Sequence, residues 1–149
     1  MSETHYQYAQ NQVKAEKNSF FTFVFRYINE VHWLEQWDTE WIRFDTSDGH
    51  TRGMMVPRIP GKDYDLVYAS DLLPMKLLKE SGAYSYYDVD RDLLQKEKNE
   101  FLTARDKATL AILYHEPINT FLFISGGEVT EMIPEESESM LTSFIFNPS

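Results

Sequence analysis

Two short apolar runs set the first limit on this chain. "DLVYAS" at 65–70 and "ATLAILY" at 108–114 are each of strand length, and neither shows the polar alternation of a half-exposed strand. They read as well-buried strands, which requires layers packed against a sheet. The segment between them is long enough for a crossover, and it predicts a helix over about 93–106, opened by a capping box of Asp92 and Gln95. Strands alternating with helices define an α/β layered domain.

The remaining elements follow from local chemistry. Ser2 is placed to cap a helix over about 3–11, with Glu3 in its first turn. Phe21, Val24, Ile28, Val31 and Leu34 repeat at helical spacing and predict a helix over about 19–36. "TEWIRFDT" and "MMVPRI" read as strands, Pro57 pointing to an edge or irregular position in the second. "PGKD" at 60–63 is a tight turn. A long connection over 72–91 carries Tyr84, Tyr86 and Tyr87. "TFLFIS" and "EVTEMI" form a hairpin around Gly126 and Gly127, and "PEESESM" reads as a solvated acidic segment. No repeat or linker divides the 149 residues, which form one domain.

Charge and cysteine count narrow the chemistry. A net charge of −10 with no basic block excludes a nucleic-acid partner and disfavours an anionic membrane surface. The polar N-terminus "MSETHYQYAQ" is no signal peptide, no apolar run has membrane-spanning length, and a cytoplasmic protein is expected. With no cysteine, any metal must be held by His, Asp and Glu.

Three such residues stand where strands end. His50 lies in the turn "DGHTRG" at 48–53, Asp71 directly follows the first apolar run, and His115 directly follows the second. Sites in layered α/β domains gather at strand ends, and these three sit on separate elements able to converge there. Their nitrogen and oxygen donors suit zinc, iron or manganese. Singly, each has a plainer role: an Asp after a strand caps a turn, and a buried His satisfies a local hydrogen bond. "DVDRD" at 88–92 lacks the Gly and Glu of a calcium loop and reads as a solvated turn and helix cap. Ser70 lacks the flanking glycines of a nucleophile elbow.

"DGHTRG", "LVYASDLLP" at 66–74 and "LAILYHEP" at 110–117 resemble, in order, motifs of the C-terminal half of the metallo-β-lactamase superfamily. "YYDVDRDLLQKEKNEFL" is similar to the segment and helix joining the last two motifs. "SETHYQYAQNQVKAEKNSFF" is similar to the region after the family's first metal motif, so the likeness covers about residues 2–125. The resemblance implies half of an αββα sandwich, a mixed sheet with helices on one face. It makes His50 a ligand of a first metal, Asp71 the carboxylate bridging two metals, and His115 a ligand of the second. It assigns no further catalytic residue.

The family's His-x-His-x-Asp-His motif is absent. The full site uses five histidines and this chain has four, the other two being His5 and His32, boundary or surface residues of the predicted helices. A lone half would expose an apolar sheet face, to be covered by a second copy in a homodimer or by another chain. Three readings result. The chain is a metal-dependent hydrolase half, inactive alone and acting on a small-molecule substrate once completed; a binding or assembly module; or a truncated, inactive homologue.

Overall fold

A computed structural model of the chain describes residues 1–15, 25, 33, 40–76, 88–103 and 106–144. Six strands lie in chain order in one sheet: β1 Arg43–Ser47, β2 Met54–Ile59, β3 Asp65–Tyr68, β4 Thr109–Ile112, β5 Phe121–Ser125 and β6 Glu128–Glu131. Neighbours are antiparallel except β3 and β4, which pair in parallel with Asp65 opposite Thr109 and Tyr68 opposite Ile112. A parallel pair cannot be closed by a tight turn. The long connection between these two strands supplies the crossover and carries helix α2, Arg91–Thr103. Helix α1, Glu3–Lys14, precedes the sheet and α3, Pro134–Ser143, follows it.

The two apolar runs are the central strands β3 and β4, and Val67, Leu110 and Ala111 are fully buried. One sheet face carries Met54, Val56, Val67, Ala111, Leu122 and Ile124, and α2 lays Leu94, Phe101 and Leu102 onto it. Each of these side chains larger than alanine contributes about 1.5–3 kcal/mol by leaving water. The opposite face, which alternates with the first, carries Leu110, fully buried at its centre, and Phe44, Met55, Leu66, Ile112, Phe121 and Phe123, which are half-buried. Tyr64, Phe123 and Phe144 cluster at one end of it, with the Tyr64 hydroxyl donating to the Met140 carbonyl.

The α/β class, the strands and the β5–β6 hairpin stand as expected, with differences at the ends. Ser2 caps α1 by accepting from the His5 N–H, but the helix runs on to Lys14. Helix α2 starts two residues early, because the Asp90 carboxylate accepts from the Leu93 N–H and takes the capping role expected of Asp92. The acidic segment is helix α3, with Pro134 in its first turn and Glu135 and Glu136 at its electropositive end. Pro57 lies on β2, one strand in from the edge, where only Arg58 and Ile59 pair with β3. The predicted helix over 19–36 lies outside the described residues except for Phe25 and Trp33, whose rings meet Tyr6 edge-on. His32 and the tyrosines at 84, 86 and 87 also lie outside them. Among the described residues no helix is long and apolar enough to cross a membrane.

Candidate metal centre

The β1–β2 turn and the ends of β3 and β4 share one edge of the sheet, so the three singled-out residues meet there. Asp71 sits in a single 3-10 turn, Ser70–Leu72, directly after β3. Its Oδ2 lies 3.7 Å from His50 Nε2 and its Oδ1 lies 3.3 Å from His115 Nε2. One carboxylate thus faces two imidazoles, one on each oxygen. Among the described residues, no three His, Asp or Glu side chains are grouped so that they could together hold a single ion.

The backbone that aims Asp71 is held out of the ordinary regions. Ser70 has φ of 50°, a left-handed conformation costly for a residue with a Cβ. Its hydroxyl donates to the Met55 carbonyl at 2.8 Å, tying the turn to β2. Ser70 is therefore a geometric support for Asp71.

The His50 turn is fixed from two sides. Glu97 of α2 accepts from the Ser47 hydroxyl at 2.7 Å, the Asp48 N–H at 2.8 Å and the Gly49 N–H at 3.0 Å. Asp48 in turn accepts from the Gly53 N–H at 2.6 Å. The glycines around His50 have separate reasons. A Cβ on Gly49 would collide with the backbone of Leu94, so its absence lets the turn press against α2. Gly53 has φ of +69° and packs against Ser2 and His5 of the α1 end. From that end Ser2 donates its hydroxyl to the Gly53 carbonyl, and His5 Nδ1 donates to the Arg52 carbonyl at 3.0 Å. Burial lowers the His5 pKa below its ordinary 6.5, the Arg52 hydrogen bond opposing that effect.

His50 Nδ1 is 2.8 Å from Asp88 Oδ1, and that carboxylate is 2% exposed. A carboxylate accepts only, so Nδ1–H is the donor. The other ring nitrogen, Nε2, is the one that faces the Asp71 carboxylate. Imidazole nitrogen and carboxylate oxygen are donor types that suit zinc.

The His115 side is looser. His115 is 53% exposed, its N–H donates to the Pro74 carbonyl, and the neighbouring Glu116 accepts from the Lys76 N–H. The Tyr114 ring lies 4.2 Å from the His115 ring, and Tyr68 stands behind Tyr114. Burial raises the Tyr68 pKa, with the nearby Tyr114 and Asp71 adding to it.

Sequence pattern missed Asp88 and Glu97. Asp88 read as a solvated turn, and the one signal for its burial is its place just ahead of the helix cap at Asp90. Glu97 carries no sequence signal, since its partners lie about fifty positions away.

No family model and no curated protein matches the chain. Two solved structures share its fold. A probable metal-dependent hydrolase from Staphylococcus aureus superposes with a TM-score of 0.52 at 18% identity, over 76% of this chain and 38% of its own. AidC, a dizinc quorum-quenching lactonase in complex with its product N-hexanoyl-L-homoserine, superposes with a TM-score of 0.54 at 20% identity, over 93% of this chain and 44% of its own. The chain spans about two fifths of the length of these structures. Its α/β architecture is that of the metallo-hydrolase fold.

Proposed function

We propose that this chain is the half of a metal-dependent hydrolase that carries His50, Asp71 and His115 as ligands of zinc, iron or manganese. It is inactive alone, and a second subunit completes the ligand set. The observation that carries this reading is Asp71, whose two oxygens each face a different imidazole Nε2, at 3.7 and 3.3 Å. That is the disposition of a carboxylate shared between two ions rather than closed around one. When bound, the metal supplies Lewis acidity toward a carbonyl or phosphoryl centre. The chain's own contribution is two nitrogen donors, one shared negative charge, and the Tyr68–Tyr114 wall beside His115. The substrate is a small molecule, and lactones are the first class to screen because AidC is a lactonase.

The completing subunit packs on the half-buried apolar face of the sheet. A second copy of this chain is the occupant we favour: two copies restore two layers of sheet and bring two His-Asp-His sets. Half-buried apolar side chains gain further stabilisation when a partner removes their remaining area from water.

The test combines metal content and mass. The untagged chain, incubated with zinc and desalted, is expected to retain near-stoichiometric metal and to behave as a dimer of the 17.6 kDa chain. Asp71→Ala and His115→Ala should lose most of the zinc, while His5→Ala should keep it. Equal zinc in Asp71→Ala and His5→Ala rejects the ligand assignment, and a monomer that binds zinc rejects the second copy. A non-catalytic binding or assembly module is the second reading. It is favoured by the lack, among the described residues, of any three donors grouped for one ion. Absence of zinc in the dimer would select it.

A further inference from the structure

Asp88 takes no part in the ligand set, yet the fold spends several interactions on it. Residues 88–90 run back along the His50 turn, where the Val89 N–H donates to the His50 carbonyl at 3.1 Å and the Asp90 N–H to the Gly49 carbonyl at 2.9 Å. Those two bonds place Asp88 beside the imidazole before any side-chain contact forms. Its carboxylate is buried to 2% exposure, an expensive location for a charge without a partner. Among its contacts is one to the ring nitrogen turned away from Asp71.

We infer that Asp88 is the positioning residue of the half-site: it holds His50 with the proton on Nδ1, so that Nε2 points at Asp71 with its lone pair free for a cation. The carboxylate makes a directional choice that a solvated histidine does not make, because only a protonated Nδ1 satisfies it. A hydrogen bond to the remote ring nitrogen also fixes the ring plane and increases the basicity of the ligating nitrogen.

A buried lysine lies within electrostatic reach of the same carboxylate. Lys98 lies in the middle of the apolar face of α2, between Leu94 and Phe101, and is 1% exposed. Burial lowers its pKa, and the charge of Asp88 acts in the opposite direction, favouring the ammonium. A lysine at that helical position breaks the apolar pattern, and the negative charge of Asp88 gives it a reason to be there.

The inference deepens the proposed metal site, and its test separates the two. Imidazole 15N NMR of the metal-free full-length chain, at a pH where its histidines are neutral, reads which ring nitrogen of His50 carries hydrogen. The wild type should show Nδ1–H with a bare Nε2, and Asp88→Ala should move His50 to the Nε2–H form that free histidine favours. Nε2–H in the wild type overturns the inference, as does an unchanged tautomer in Asp88→Ala. If that variant does not fold, Asp88→Leu keeps the volume without an acceptor and should bring the Nε2–H form into view; Nδ1–H alone there counts against the carboxylate's role. Zinc affinity should fall about 10–100-fold in Asp88→Ala and recover in part in Asp88→Glu. If neither protein binds zinc but the tautomer switches, the metal site fails and the positioning role stands. If both bind zinc equally, the positioning role fails and the metal site stands.

Discussion

The two histidines that face Asp71 are held in opposite ways. His50 is 16% exposed, its turn clasped by Glu97, pressed on α2 at Gly49 and latched to α1 at Gly53, with Asp88 behind the ring. His115 is 53% exposed on a loop where, among the described residues, its backbone N–H donates to the Pro74 carbonyl, Glu116 accepts from the Lys76 N–H and the Leu113 N–H donates to the Thr120 carbonyl. Among the described residues, one side of the candidate site is therefore preorganised by the chain itself, and the other is more exposed. A side chain fixed by packing loses little entropy when it binds a ligand, whereas an exposed one has more rotamer freedom to lose. On the proposed reading, the second subunit contributes on the His115 side.

The contrast breaks most readily at Gly49. Gly49→Ala places a Cβ against the Leu94 backbone, where no flexible side chain can give way. Turn and helix must part, and unfolding stability should drop by about 3 kcal/mol, as for an overpacked core. Denaturant unfolding of the metal-free chain measures it. A loss below about 1 kcal/mol would mean the turn is not pressed on α2.

Next comes Glu97→Gln. Its carboxylate accepts from one hydroxyl and two backbone N–H groups, and the amide replaces one acceptor oxygen by a donor facing those donors. Bonds to charged groups are the stronger ones, so about 2 kcal/mol should be lost. Faster hydrogen exchange should be confined to the β1–β2 turn and the start of α2. His115→Ala is the counterpart on the open side. With its side chain exposed, stability of the metal-free chain should change by no more than about 0.5 kcal/mol while zinc is lost. A stability loss as large as that of Glu97→Gln would erase the asymmetry.

The same division governs what the amino-acid pattern made legible. Asp71 and His115 were visible because a buried strand is a continuous apolar run, and the polar residue that ends it must emerge at the sheet edge. His50 was visible because glycines flank it. Ser2 was visible as a cap because capping is local. Asp88 and Glu97 act across 38 positions and about fifty, and a distant contact leaves no periodicity in the chain. Asp88 was misread for the same reason: an acidic residue in a polar run looks solvated until the chain folds it under a histidine. The acidic segment that became α3 failed differently. Its helix comes from Pro134 and the first-turn glutamates, whereas its burial pattern is weak, with only Ser137 buried.

The smallest effect concerns the latch on α1. His5 is half-buried and donates from Nδ1 to the Arg52 carbonyl, two residues beyond His50. Burial lowers its folded pKa below 6.5, so between that value and 6.5 the unfolded chain binds more protons than the folded one. The contribution of neutral His5 is therefore complete above pH 6.5 and is lost as pH falls through the lower, folded value. His5→Gln retains a donor for the Arg52 carbonyl but does not titrate. Subtracting its stability–pH curve from that of the wild type should leave a decline on the acid side of 6.5 and a flat line above it. A decline on the alkaline side would mean that the folded state favours the protonated ring, and α1 would then be latched by charge rather than by a buried neutral imidazole. In the expected case, acidification loosens the α1 support of the His50 turn while leaving the Glu97 clasp in place, so the preorganised histidine becomes more like its exposed counterpart.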